Sequence, residues 1–452
     1  MKLLLFGKYP PIEGGTSSQT LNTVRLLAAA GHEVDVVTNA REAEASVRAL
    51  MTPSDDERLR ALEGAGQEGP PDARPGRVRV HHTSPLPRTA YMPWAEPFVS
   101  KLFGLGVELA RSNRFDLVLG WYLEPYGMAA GMVAEATGLP LVLRHAGSDI
   151  NRLARHPDLQ PGYRWLLGRA DRILTGPRSA RLLVDLGAKA ATLRMTGTAM
   201  LPDYFDEPAA PIQLAEVAGQ AAAALGQAGL SAEASEALVA NLTSLSHRLP
   251  APVVGVCGKV ASSKGSYDLV AALERLAADG VGFTLLGALG GQEELFAPFL
   301  EALVATRHLR SRAVILPLVA PWRMPGLFDA CDLVCVLERR FDVPVHRTRL
   351  PEEVLRRGRT LLLSGEIAAS LHFSAKLEDR NNYLRVEDPS DIGSLASVLN
   401  EALTDRGLRD QVARGARALS DELSASASSD GPTEAVALAI SELAGRSAPL
   451  VS

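Results

Sequence analysis

Residues 253–275, VVGVCGKVASSKGSYDLVAALER, begin with an apolar run and return to apolar residues after a short polar loop. The run predicts a buried strand that Gly258 interrupts, and Leu269, Val270 and Leu273 then follow at helical spacing. A strand, a glycine-containing loop and a helix in this order favour phosphate binding, because the first turn of a helix presents unpaired N–H groups and a positive dipole end. The stretch therefore predicts an α/β fold with an anion site at this loop.

Two lysines, Lys259 and Lys264, flank the same loop. A diphosphate placed there would contact backbone N–H groups and two ammonium groups together. Two lysines beside a turn can also be ordinary solvent-facing side chains. We favour the phosphate site because of the motifs elsewhere in the chain.

Strand and helix patterns alternate through most of the 452 residues, a length sufficient for two domains. The first half predicts strands at 3–6, 34–38, 78–82, 116–119, 141–144, 171–174 and 192–195, and the second half at 252–257, 282–286, 313–316, 332–337, 360–364 and 383–386. Such alternation is typical of parallel sheets with crossover helices. We expect two Rossmann-like, doubly wound domains that face each other, with the carboxyl ends of both strand sets around one cleft.

The pattern also predicts where the domains divide. A first domain is expected at 1–206 and a second at 251–430. Between them, the Ala-rich segment 207–250 is apolar at helical spacing and predicts a helical insertion at the hinge. Residues 431–452 predict a final helix, which we expect to cross back to the first domain.

Composition excludes some functional classes. The net charge of −5 argues against a general nucleic-acid binder. Cys257, Cys331 and Cys335 lack the spacing of a metal site and are expected to be buried thiols in a reducing compartment. No apolar run approaches the roughly 20 residues that span a bilayer, and the opening segment is too short for a signal peptide. We therefore expect a cytoplasmic location.

Two further motifs lie at predicted strand ends. Gly14 and Gly15 precede a helix and permit close approach of a ligand to the backbone, although an ordinary turn would also explain them. Neither belongs to a G-x-G-x-x-G fingerprint, which disfavours a dehydrogenase. His145 follows a strand directly and can donate to a sugar hydroxyl, or it can be a satisfied core histidine; Asp149 is a candidate cap for the helix from Ile150.

A short helix is predicted to begin at Pro351 and end at Gly358. Glu352 and Glu353 lie in its first turn, where acidic side chains complement the helix dipole. One of them can simply stabilise the helix start while the other accepts hydrogen bonds from a ribose diol. His346 lies in the preceding loop and could also reach the cleft.

Taken together, these motifs resemble a known family. The Gly14-Gly15 loop, the RHAGSD segment, the GKVASSKG loop, the helix ending EVLRRG and the later RNNYLRVEDPSDIGSLASVL are similar to segments of the retaining glycosyltransferases of family 4, which have the GT-B fold. The resemblance covers nearly the whole chain. It implies a first domain for the acceptor and a second for a nucleotide-sugar donor, UDP- or GDP-linked, without a metal ion or a further cofactor.

The resemblance also implies roles for particular residues. Lys259 and Lys264 match the cations that hold the donor diphosphate, His145 matches the histidine that contacts the donor sugar, and Glu353 matches the second glutamate of the E-x7-E motif, which binds the nucleotide ribose. Gly14 and Gly15 match the loop that approaches the donor and the acceptor, and Gly258 and His346 are further candidates for binding the nucleotide sugar. One departure is Val345, which occupies the position of the first glutamate in that motif.

The expected activity is therefore transfer of a sugar from a nucleotide diphosphate sugar, with retention, to an unidentified acceptor. A nucleotide-sugar epimerase or phosphorylase on the same architecture remains an alternative, and Val345 keeps a non-catalytic sugar-nucleotide binding protein open. Aromatic residues concentrate at 91–126 and arginines at 144–181. They suit an anionic or lipid-linked acceptor and peripheral membrane contact, or they are ordinary core and solvated surface.

Overall fold

The computed structural model describes residues 1–64, 76–85, 97–197, 201–208, 211–245, 249–341, 348–426 and 432–443. Val345 and His346 lie outside these residues, as do Tyr91 and Trp94 of the aromatic segment.

The predicted alternation of strands and helices is confirmed. The strands are β1 Lys2–Gly7, β2 Glu33–Thr38, β3 Arg77–His82, β4 Leu117–Trp121, β5 Leu141–Arg144, β6 Arg172–Thr175, β7 Leu193–Met195, β8 Val253–Lys259, β9 Thr284–Gly290, β10 Ala313–Pro317, β11 Leu333–Val336, β12 Thr360–Ser364 and β13 Leu384–Val386. Leu3, Leu4 and Leu5 are all fully buried, so both faces of β1 are covered. Continuous apolar strands of this kind are typical of parallel sheets between helical layers.

The strands form two sheets of the same design. The first has the order β3-β2-β1-β4-β5-β6-β7 and the second β10-β9-β8-β11-β12-β13, and every pairing within them is parallel. Strand order reverses direction between β1 and β4 and between β8 and β11. Ligands of doubly wound folds bind at the carboxyl ends of the strands beside such reversals.

The helices that cover the sheets are α1 Gly15–Ala29, α2 Pro53–Gly64, α3 Phe98–Ser112, α4 Met128–Thr137, α5 Gly147–Asn151, α6 Gln160–Arg169, α7 Pro177–Asp185, α8 Leu214–Gly226, α9 Ala232–Leu245, α10 Ser266–Ala278, α11 Glu293–Val304, α12 Met324–Asp329, α13 Leu350–Arg356, α14 Gly365–Ser370, α15 Ile392–Thr404, α16 Arg406–Ala425 and α17 Pro432–Leu443. None of these helices is both long and apolar enough to cross a membrane.

Two helical segments show how the halves are assembled. Helices α8 and α9, within the predicted hinge insertion, pack against the second sheet, where Val217 and Ala221 share a core with strand residues of β10. Helix α17 packs against the first sheet instead. Its Glu442 accepts hydrogen bonds from Arg172 and Arg194, one on β6 and the other on β7.

Side chains and backbone groups also join the two halves near the cleft. Asp55, which is 2% exposed, accepts hydrogen bonds from Trp322 Nε1 at 2.8 Å and Arg323 Nε at 2.7 Å. The backbone N–H of Leu50 donates to Leu318 O at 2.6 Å. A buried carboxylate that is fully hydrogen-bonded fixes geometry at a junction, because an unpaired one would be costly. These contacts turn the carboxyl ends of the two sheets toward each other.

Candidate functional site

Two glycines with positive φ shape the end of β8 and the loop that follows it. Gly258 has a φ of +121° and Gly265 a φ of +70°, values that other residues rarely adopt. Gly265 also lies directly against β11, since a Cβ at this position would be 2.5 Å from Leu337 O. Helix α10 begins immediately after it, so the first-turn N–H groups of this helix lie beside Lys264. The loop therefore combines a helix N-terminus with a cation.

Lys264 is held by a carboxylate at the end of β11. Its Nζ lies 2.5 Å from Glu338 Oε1, and Glu338 is 5% exposed. The same ammonium group lies over the ring of Phe341, 4.2 Å from its centroid. Arg152 of the first half approaches this ring too, at 5.6 Å. An ammonium group has three N–H donors, so the pair with Glu338 orients Lys264 and leaves donors for a ligand.

Lys259 is paired across the cleft. Its Nζ lies 2.8 Å from Glu13 Oε1, and the Glu13 side chain is 1% exposed whereas that of Lys259 is 55% exposed. Glu13 directly precedes Gly14, and its carboxylate lies close to Gly290 at the end of β9, where a Cβ would be 3.4 Å from Oε2. The loop that contains Gly14 and Gly15 thus contacts the end of β8 in the second half through one buried carboxylate.

A third ammonium group belongs to this cluster. Lys8 follows β1 directly, and a Cβ on Gly14 would be 3.8 Å from its Nζ. Burial lowers the pKa of Lys8 to about 8, and the positive charge of Lys259 contributes to this shift. The negative charge of Glu13 has the opposite effect. Gly14 has a φ of +97° and no atom lies within 4 Å of a Cβ built on Gly15. The backbone of the glycine pair therefore lies beside two ammonium groups, those of Lys8 and Lys259.

His145 lies at the end of β5, as its position after the strand predicts. Its Nε2 is 2.8 Å from Thr175 Oγ1 at the end of β6, and its Nδ1 is 3.4 Å from Ala146 O. Burial lowers the pKa of His145 to about 4, so the imidazole is neutral near pH 7. It is therefore a neutral hydrogen-bonding group at the rim of the first sheet.

Asp149 has a structural role that differs slightly from the predicted cap. It lies inside α5 and is fully buried, and its carboxylate accepts from the backbone N–H groups of Leu123, Ala146 and Ile150 at 2.9–3.0 Å. Burial outweighs these hydrogen bonds and raises the pKa of Asp149 to about 7. The residue ties the end of β4 to the end of β5 and so positions His145.

The two glutamates of α13 have different surroundings. Helix α13 begins at Leu350, one residue earlier than predicted, and Pro351 is its second residue. Burial raises the pKa of Glu353 to about 7. The positive charge of Arg349 lowers this pKa, and the negative charge of Glu352 raises it further. Glu352 lies 3.9 Å from Arg349 and 3.6 Å from His372. Burial therefore acts on the carboxyl group of Glu353, whereas Glu352 lies near two basic side chains.

Tyr204 links this helix to the first half of the chain. The charges of Glu353 and Arg349 both act on the Tyr204 hydroxyl, which is hydrogen-bonded to Ser18 Oγ at 3.1 Å. Ser18 belongs to α1, which the glycine pair begins. Glu353, Tyr204 and the start of α1 therefore lie in one region of the cleft.

The structure thus brings the sequence-derived candidates together in two groups: Gly14, Gly15, Gly258 and Lys259 around Glu13, and Lys264 around Glu338. Sequence reasoning missed Lys8, Glu13 and Glu338. A signal existed for Lys8 and Glu338, since each is a charged residue directly after a buried apolar strand. Glu13 carries no such signal, because only the approach of the two halves buries it. The described residues contain no group of three His, Cys, Asp or Glu side chains arranged to hold a metal ion.

Comparison with known proteins supports the resemblance. Residues 14–198 match the family model described as a glycosyl transferase 4-like domain. A search of curated proteins finds no match. Among solved structures, HepE from Anabaena, in complex with UDP and glucose, has a TM-score of 0.59 and 14% sequence identity, with 98% of each chain covered.

Two further solved structures have the same architecture. Sucrose-phosphate synthase from Thermosynechococcus elongatus has a TM-score of 0.58 and 17% identity, again with 98% of each chain covered. A Listeria monocytogenes protein described as a UDP-N-acetylglucosamine 2-epimerase has a TM-score of 0.51 and 13% identity over 99% of this chain and 98% of that one. At such identities the likeness concerns the fold. The chain therefore has the GT-B fold, and its residues 14–198 match the model of a glycosyl transferase 4-like domain.

Proposed function

We propose that the protein is a glycosyltransferase that uses a UDP-linked sugar and transfers the sugar with retention, without a metal ion. The observation that carries the proposal is the loop between β8 and α10, where Lys259 at the end of β8 pairs with Glu13 and Lys264 beside the N-terminus of α10 pairs with Glu338. The glycosyl transferase 4-like domain over residues 14–198 supports transfer as the reaction class. Structurally similar HepE has been crystallised with UDP-glucose, which supports uridine as the base.

Catalysis in this proposal is mainly electrostatic. As the bond between the sugar and the diphosphate breaks, negative charge develops on the leaving diphosphate. Lys259 and Lys264, already oriented by Glu13 and Glu338, meet that charge with little reorganisation. The neutral imidazole of His145 can hydrogen-bond a donor-sugar hydroxyl from the opposite side of the cleft, in exchange for its bond to Thr175.

Binding and turnover together test this proposal. UDP, GDP, ADP and their glucose conjugates are compared by thermal shift, since a ligand that binds only the folded state raises the melting temperature. UDP and UDP-glucose are expected to give the largest shifts. Turnover of UDP-glucose is then measured with and without candidate acceptors, and the anomeric coupling of the product is read by NMR. Absence of any uridine-nucleotide binding would remove the basis of the proposal.

A second candidate is an epimerase, favoured by the architectural similarity to the Listeria protein. An epimerase would convert UDP-N-acetylglucosamine without an acceptor, whereas a transferase releases UDP only when a sugar is transferred or hydrolysed. Incubation with UDP-N-acetylglucosamine alone, followed by NMR of the sugar, separates the two. An epimeric product without UDP release would favour this second candidate.

Glu353→Ala is expected to weaken UDP binding, while Glu352→Ala changes it little. The reason is that Glu353 is half-buried and its charge acts on Tyr204, so a ribose diol there would find an acceptor, whereas Glu352 is engaged with Arg349 and His372. Loss of a hydrogen bond to a charged group costs roughly 1.5–3 kcal/mol. Isothermal titration with UDP measures both variants, and a larger loss in Glu352→Ala would mean that the other face of α13 binds the nucleotide.

UDP-glucose binding is expected to weaken as the pH falls below 7. Burial raises the pKa of Glu353 to about 7, so this carboxyl group is increasingly protonated below that value. If the ionised carboxylate accepts hydrogen bonds from the ribose hydroxyls, the affinity for UDP-glucose falls by up to about tenfold for each pH unit below the pKa. The charge of the donor diphosphate itself is constant over pH 5.5–7.5. Titrations over this window are expected to slope for the parent protein and to be nearly flat for Glu353→Gln.

A further inference from the structure

The arginines of segment 144–181 fall into two groups in the structure. Arg169 pairs with Glu135 and Asp171, and Arg172 pairs with Glu442, so these arginines hold the first half together. Arg155, Arg164 and Arg181 are exposed on the surface. Arg144 belongs to neither group: it is the last residue of β5 and directly precedes His145.

The guanidinium group of Arg144 has an aromatic neighbour. It lies over the ring of Trp121, 4.9 Å from the centroid, and β5 and β4 pair so that these two residues are register partners. Its Nη1 is buried and makes no hydrogen bond to any residue that the structure describes. The side chain forms no ion pair within the described ranges either. Stacking on an indole fixes the plane of the guanidinium, so its N–H groups are oriented without being satisfied.

The charge that acts on Arg144 is positive. Burial lowers the pKa of Arg144 to about 10, and the positive charge of Arg349 contributes to this shift. Arg349 belongs to the second half of the chain, where it immediately precedes α13. Guanidinium groups of both halves of the chain therefore contribute positive charge at this position. Arg349 also lies 3.9 Å from Glu352 and its charge acts on Glu353, so its own charge is partly balanced.

A buried N–H of a charged group without a partner is costly, and a like charge nearby adds to that cost. An anion between the two arginines would satisfy the donor and balance the charge. We propose that Arg144 and Arg349 form a subsite for an anionic group, phosphate or carboxylate, carried by the acceptor. A planar guanidinium fork suits both groups because it can form two parallel hydrogen bonds to either.

This inference deepens the proposed function by assigning the acceptor a chemical class. The donor diphosphate has its own cations in Lys259 and Lys264, which lie at the ends of the second sheet rather than at β5. The arginine subsite is therefore available to the second substrate while the donor is bound. A phosphorylated or acidic acceptor would bridge the two halves and favour their closure.

The test is inorganic phosphate binding to the full chain saturated with UDP, by isothermal titration and thermal shift. UDP occupies the lysine site, so phosphate that still binds reports a separate subsite. Arg144→Met is expected to weaken phosphate binding at least tenfold with less than a twofold change in UDP affinity. Arg144→Lys should retain part of the affinity, and Arg164→Gln is the matched control from the same segment, with no expected change. Without ligands, Arg144→Met is expected to melt at the same temperature as the parent or above it, since an unpaired cation has been removed.

Transfer assays extend the test to acceptors. With UDP-glucose as donor, glucose 6-phosphate is expected to be a better acceptor than glucose for the parent protein, and the preference is expected to disappear in Arg144→Met. Equal phosphate affinity in the parent and in Arg144→Met would overturn the subsite. Complete displacement of phosphate by UDP would assign the arginines to the donor instead. Failure of UDP itself to bind would count against the proposed function, and the two failures are therefore distinguishable.

Discussion

Lys264→Ala is expected to lose roughly 10- to 150-fold in affinity for UDP-glucose, and Lys259→Ala is expected to lose less. A hydrogen bond between an ammonium group and a phosphate contributes about 1.5–3 kcal/mol, which corresponds to that range. Lys264 is 21% exposed and lies at the start of α10, whereas Lys259 is 55% exposed and its interactions are better screened by water. Isothermal titration of UDP-glucose into each variant measures the difference.

The loss at Lys264 has two sources that a second substitution can separate. Removing the ammonium group also takes a partner from Glu338, which is 5% exposed, and breaking a buried pair destabilises the fold. Lys264→Ala with Glu338→Gln is expected to recover much of the lost melting temperature without recovering donor affinity. If the double variant binds UDP-glucose as the parent does, the lysine serves the fold and not the donor.

Gly265→Ala is expected to destabilise the protein by about 3 kcal/mol or more and to abolish donor binding at elevated temperature. Gly265 has a φ of +70°, and a Cβ there would lie 2.5 Å from Leu337 O and 2.6 Å from Leu337 Cβ. A left-handed conformation alone costs an alanine roughly 1–2 kcal/mol, and the contact with backbone adds to that cost because β11 cannot move independently of its sheet. Denaturant unfolding measures the change.

Gly138→Ala is the matched control for this substitution. Gly138 ends α4 with a φ of +71°, nearly the same as at Gly265, but no atom lies within 4 Å of a Cβ built there. It is therefore expected to lose only the conformational term, about 1–2 kcal/mol. Equal losses at the two glycines would show that the close approach of Gly265 to β11 has no energetic consequence.

Much of the fold is predictable because it depends on local patterns. Buried parallel strands are continuous apolar runs, and crossover helices repeat apolar residues at a different period, so β5 and β12 have the bounds that the pattern predicts. The pattern also predicts the positions of Lys259, Lys264 and His145. A polar residue in the loop after such a strand lies at the edge where doubly wound sheets bind ligands. The family motifs added the roles of these residues but not their surroundings.

The carboxylates that pair with these lysines could not be predicted from the sequence pattern. Glu13 looks like an ordinary loop residue, and only the approach of the two sheets buries it against Lys259. Glu338 and Lys264 likewise meet because β8 and β11 are neighbours in the second sheet.

The sequence by itself determined two α/β units, the order of their strands and helices, and the positions of the glycine and lysine loops, because each depends on residues close together in the chain. The tertiary structure alone decided which carboxylates orient the lysines, that the imidazole of His145 is neutral, and that the charge of Arg349 acts on Arg144 from the other half of the chain. These properties depend on burial and on charges brought together from distant parts of the chain, and neither exists until the two sheets face each other.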